Sequence, residues 1–157
     1  MMNLRLVILV GCLAAPTNAF GQTTAEAEVL EAVQKVFDGI STGDSALLRS
    51  VMHSTATLIA VPDQGPPRVS SGNQFIERVA GASTTMLERM WDPVVHIDGP
   101  IASVWTPYDF YRGGEFSHCG IDAVQLVRDE GKWRVVIVTY TIHRTNCPPS
   151  PLGPPKH

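Results

Sequence analysis

An α+β fold, with helices packed on one face of a curved antiparallel sheet, follows from three observations. Residues 101–144 read as three long strands in a row, joined by tight turns at Gly113-Gly114 and around Gly131. Two earlier segments, 23–40 and 45–53, place apolar residues at helical spacing. A short β-branched run and a third helical segment lie between them and the strands, so the order is helix, helix, strand, helix, then about four antiparallel strands.

Residues 1–22 stand apart from the fold. One Arg at position 5, an apolar run from Leu6 to Ala15, then Pro16 and small residues up to Ala19 and Gly21 read as a secretory signal. Ten apolar residues are too few for a membrane span, which needs about 20. The expected location is therefore periplasmic or secreted, with a folded domain at 23–146. Residues 147–157 hold five prolines after Cys147 and read as a disordered tail.

Within the domain, Thr23 and Glu26 form a capping box for the first helix, whose apolar face is Leu30, Val33, Val36, Phe37 and Ile40. Asp44 caps the second helix, with Leu47, Leu48 and Val51 turned inward. Ala56 to Val61 is a strand ended by Pro62, and Ser71 with Gln74 boxes a third helix that buries Phe75, Ile76 and Val79. Thr84 to Ile97 is extended, and Asp98-Gly99 turns it into the strand at Ile101.

Counting back from Gly113-Gly114 pairs Arg112 with Glu115 and sets Asp109 opposite His118 and Trp105 opposite Asp122. A four-residue loop before Trp133 then sets Asp122 against Thr139 and His118 against His143. One face would run from apolar residues at one end to Trp105, Asp109, His118, Asp122, Thr139 and His143 at the other, as a pocket with a polar mouth requires. A three-residue turn with Gly131 in the left-handed region would bring Tyr140 to that face instead. Val136, Val138, Tyr140 and Ile142 would form a second apolar face, which a homodimer through the sheets would cover.

Val104-Trp105-Thr106-Pro107-Tyr108-Asp109-Phe110-Tyr111, Phe116-Ser117-His118-Cys119-Gly120-Ile121-Asp122 and Gly131-Lys132-Trp133-Arg134-Val135 carry a resemblance to a known superfamily. The chain resembles the nuclear transport factor 2-like superfamily, near its SnoaL-like and putative lumazine-binding families, over residues 25–144. The resemblance implies a cone-shaped fold: a curved antiparallel sheet around a pocket, three helices packed on its concave face, and frequent dimerisation. It implies no single activity, since such domains include isomerases, dehydratases, cyclases and binding modules.

A net charge of −3 with no basic run gives no footprint for nucleic acid. The leading function is a small-molecule-binding domain with a partly apolar pocket, needing no cofactor. The competing reading is a cofactor-free isomerase or dehydratase in which Asp109 orients His118 for proton transfer. A third is a structural dimerising module. Ligand contacts would come from Trp105, Tyr111, Asp122, Thr139, Tyr140 and His143. Asp109, His118 and His143 could also hold a metal, but no compact ligand spacing supports one and none is expected. Cys119 and Cys147 either form a disulfide or stay apart, Cys119 as a buried thiol.

Overall fold

The computed structural model describes residues 19–155, with side chains from Thr24 onward. The leader expected before Ala19 lies outside the described residues. Helix α1 spans Ala19–Thr42, so it opens upstream of Thr23 and the expected capping box falls inside it. No proline interrupts that stretch to force a later start. Its buried stripe is Val29, Val33, Val36, Phe37 and Ile40.

Helix α2 spans Ser45–Val51 and is capped as expected, the Asp44 carboxylate accepting from the backbone of Ala46 and Leu47 at 2.9 Å. Helix α3 spans Gly72–Ala80 and starts with the reciprocal Ser71–Gln74 box. All three helices contribute to one apolar core against the sheet, in which Val29, Leu48 and Ile76 meet Val104, Leu126 and Val135.

The sheet has seven strands: β1 (Met52–Pro62), β2 (Arg68–Ser71), β3 (Met86–Met90), β4 (Val94–Asp98), β5 (Ile101–Arg112), β6 (Glu115–Asp129) and β7 (Lys132–Ile142). The order is β2-β1-β7-β6-β5-β3, with β4 also on β5. It is mixed rather than wholly antiparallel, because β1 lies parallel to β7. The single extended segment expected over 84–97 is two strands, broken at Trp91–Pro93, where Asp92 takes a positive φ. Thr106, fully buried, donates its hydroxyl to the Trp91 carbonyl at 2.9 Å and fastens that break to β5.

Both expected hairpin turns form, yet two β-bulges change what the strands present. Arg112 pairs with Glu115 as counted, but Ser117 is an extra residue on β6, so His118 lies opposite Phe110 and Asp109 opposite Cys119. Likewise Arg128 pairs with Trp133, but a bulge at Val136 on β7 sets Asp122 against Tyr140, not Thr139. One unpaired residue moves all later pairings by one and turns side chains to the other face. The turn before Trp133 has two residues, Glu130 and Gly131, both at positive φ.

Beyond His143 the chain turns back and Cys147 is bonded to Cys119, resolving the two cysteine alternatives in favour of a disulfide. Deeper in the sheet, Tyr108 on β5 crosses β6 and donates its hydroxyl to the Thr141 carbonyl at 2.6 Å. Gly120 makes the crossing feasible: a Cβ there would sit 2.1 Å from that carbonyl oxygen and 2.8 Å from the tyrosine ring.

Candidate functional site

The concave face of the sheet and the helices enclose a cavity of about 520 Å³, inside the range of about 300–1,000 Å³ found for small-molecule sites. Its walls are apolar. Val33 and Phe37 come from α1, Phe75 and Val79 from α3, Leu58 from β1 and Val135 from β7. Each strand residue is there because alternate side chains of a strand share a face.

Two carboxyl groups break the apolar lining. Asp122 on β6 is only 2% exposed, and its Oδ2 accepts from no amide, hydroxyl or basic side chain of the described residues. Glu88 on β3 keeps part of its surface open to the cavity, but its carboxyl is enclosed and hydrogen-bonds that of Asp122. Two carboxyl groups can bond only by sharing a proton. Burial, then the charge and hydrogen bond of Asp122, hold Glu88 well above the usual carboxylate range. Burial likewise pushes Asp122 up to about 7, against the opposing effect of its bond to Glu88. The pair therefore offers one acid and one base near neutral pH.

Tyr140 faces this pair across the sheet. Burial and the nearby Glu88 raise its phenol, while Arg78 and Arg68 pull the other way. His118 stacks on Phe110 at 4.9 Å between centroids and meets Tyr108 edge-on at 5.7 Å. Its Nδ1 lies 3.0 Å from the Ser117 hydroxyl. Burial, followed by the charges of Arg144 and Arg112, lowers His118 to about 4, so the ring is neutral at pH 7.

The structure brings His118, Asp122 and Tyr140 of the expected site together in the cavity. The expected Asp109–His118 pair does not form, because the Ser117 bulge puts the two on opposite faces. Asp109 instead accepts two bonds from Arg89 on the outer face, 2.9 Å from Nε and 2.5 Å from Nη2. Tyr111 shares that face, its ring under the Arg89 guanidinium at 5.1 Å.

Trp105 also points outward and is 56% exposed. Thr139, opposite Ala123, turns away from the cavity with it. His143 sits outside the cavity, its Nδ1 2.5 Å from Asp63 Oδ1. Asp109, His118 and His143 therefore do not converge on one point. Val138, Tyr140 and Ile142, expected on an outer apolar face, line the cavity.

Sequence reasoning missed Glu88 and the arginines Arg68, Arg78, Arg112 and Arg144, all of which line the cavity. A signal for Glu88 was present: in Met86-Leu87-Glu88-Arg89-Met90, strand alternation puts one acid between two methionines on the face that packs inward. The arginines are far apart in sequence and gave none.

No curated protein sequence matches the chain. Solved structures share its fold. An NTF2-like protein of unknown function from Silicibacter pomeroyi is 20% identical, covering 78% of this chain and 98% of its own, with a TM-score of 0.62. An NTF2-like superfamily protein from Salmonella enterica is 16% identical over 80% of this chain and 96% of its own, at 0.64. A putative dehydratase of the NTF2-like family from Streptomyces avermitilis is 15% identical over 78% and 98%, at 0.63. At the level of sequence, the family model described as "Putative lumazine-binding" matches residues 24–141. The chain thus belongs to the putative lumazine-binding family, and its fold is that of the nuclear transport factor 2-like proteins.

Proposed function

We propose that the domain takes up one small, largely apolar molecule in the cavity and holds its polar group at Glu88 and Asp122, without turnover. The observation that carries this reading is the buried Asp122–Glu88 carboxyl pair in a largely apolar enclosure, where Asp122 Oδ2 accepts from no amide, hydroxyl or basic side chain of the described residues. A ligand hydroxyl or N–H finds in this pair the acceptor that the apolar walls lack. Native mass spectrometry of the protein exposed to a metabolite extract tests it, against Val138→Trp, which fills the cavity. A compound retained by the wild type, lost in the variant and recovered unchanged is the expected result. Equal, empty spectra overturn it.

Proton transfer on a bound ligand is the second reading, favoured by the shared proton of Glu88 and Asp122. One structural relative is described as a putative dehydratase. Incubation of the retained compound with protein in D2O separates the readings, since deuterium enters carbon positions only under turnover.

A periplasmic or secreted location is supported by the Cys119–Cys147 disulfide, which persists in oxidising compartments. No helix among the described residues is long and apolar enough to cross a membrane. A homodimer through the outer sheet face is supported by exposed Trp105, Val94 and Ile101 on adjacent strands β5 and β4. Light scattering should give twice the chain mass, falling to the monomer in Trp105→Glu; a wild-type monomer would remove this proposal.

A further inference from the structure

We infer that the ligand of this cavity is an amphipathic anion, with an apolar body inside and one oxyanion head, carboxylate, sulfonate or phosphate, held by Arg68, Arg78, Arg112 and Arg144 at the mouth. This rests on the binding reading above and narrows it. The described residues include eight arginines, and they divide by location. Arg89, Arg128 and Arg134 lie away from the cavity and pair with Asp109, Glu28 and Asp129. Arg49, also away from it, bonds Asn73. The remaining four all line the cavity, and none of them makes an ion pair within the described residues. Arg78 alone has a side-chain bond, to the Ser70 hydroxyl at 3.2 Å.

Their charges reach the interior from two sides. Arg112 and Arg144 disfavour a proton on His118, and Arg68 and Arg78 favour ionised Tyr140. The cavity's own acids are Glu88 and Asp122, so four guanidinium groups stand against at most two carboxylates in a chain whose net charge is −3. Concentrating unpaired positive charge at the rim of an apolar enclosure draws in anions and orients them head outward. Guanidinium groups bind planar and tetrahedral oxyanions through paired N–H donors, so the head can be any of the three acids. The apolar walls require the remainder of the ligand to be hydrocarbon or aromatic.

Two fluorescent probes that differ in one group test this: 1-anilinonaphthalene-8-sulfonate and its uncharged counterpart N-phenyl-1-naphthylamine. The wild type should bind the sulfonate tighter, with affinity falling as salt is raised. Arg112→Gln with Arg144→Gln, and separately Arg68→Gln with Arg78→Gln, should each weaken the sulfonate by about tenfold or more and leave the neutral probe within about twofold. All four side chains are exposed at the rim, so the variants should keep the wild-type Tm. Equal affinity for both probes, or double variants that leave the sulfonate unchanged, overturn the inference while the cavity still binds. Equal signals from wild type and Val138→Trp for both probes overturn the binding reading with it.

Discussion

Replacing Asp122 by Asn and Glu88 by Gln in one variant removes the buried carboxyl pair and, with it, a component of stability that falls as pH rises. Folded, Asp122 loses its proton near pH 7 because burial disfavours the carboxylate; unfolded, it does so near 3.8. Below about pH 4 both states are protonated and the contribution is whole. Between there and pH 7 the unfolded chain ionises while the folded one does not, so stability drains away; above 7 the loss is complete.

Three pH units at ~1.4 kcal/mol each give about 4 kcal/mol in total, more than half of it between pH 5 and pH 8. Glu88 is displaced in the same direction and adds to the loss. Urea unfolding followed by tryptophan fluorescence at pH 5, 6, 7 and 8 measures it. The wild type should lose at least about 2 kcal/mol more than the double variant across that range. Parallel profiles would refute the assignment of a buried, proton-sharing pair.

His118 should stay neutral from pH 8 down to about 5, its ring carbons unshifted by NMR, with a midpoint near 4. Because its folded value lies below the unfolded 6.5, it contributes stability above 6.5 that is lost as pH falls toward 4; a midpoint at 6.5 would contradict its enclosure by Phe110 and the arginines. Asp109→Ala leaves the Arg89 guanidinium, only 15% exposed, without its carboxylate. The expected loss is about 3–5 kcal/mol by denaturant unfolding, with probe binding unchanged because the pair faces away from the cavity; a loss under about 1 kcal/mol would show the pair to be solvated. Reducing the Cys119–Cys147 bridge, which spans 28 residues, should remove about 3–4 kcal/mol and lower Tm on the order of 10 °C in calorimetry with and without reductant. An unchanged Tm would count against the bridge.

Several local signals were read correctly because the determining interaction is short-range, though Thr23 and Glu26 fall inside α1 instead of opening it. Asp44 and the Ser71–Gln74 box cap their helices, and Gly113-Gly114 and Gly131 turn their hairpins. His118 and Asp122 were placed on the pocket face because β6 runs without irregularity from 118 to 124. Trp105 and Asp109 were misplaced because Ser117 bears no chemical mark of being unpaired; the bulge is set by how β6 packs between two neighbours. Tyr140 reaches the cavity by a different route from the three-residue turn considered for it, through the bulge at Val136. The four arginines come from β2, α3, β5 and the segment after β7, so only the folded chain reveals them as one group.

The Tyr108 hydroxyl bonded to Thr141 across Gly120 has a kinetic consequence. It spans three adjacent strands beneath the cavity and fixes their curvature without any guest. A vessel whose shape is set in advance spends little of the guest's interaction energy on ordering itself. Entry is then governed by passage through the mouth and not by a slow opening of the sheet, and affinities within a homologous series should separate chiefly through how fast each member leaves. Guests one ring too large should be refused outright, because a braced floor cannot yield by degrees.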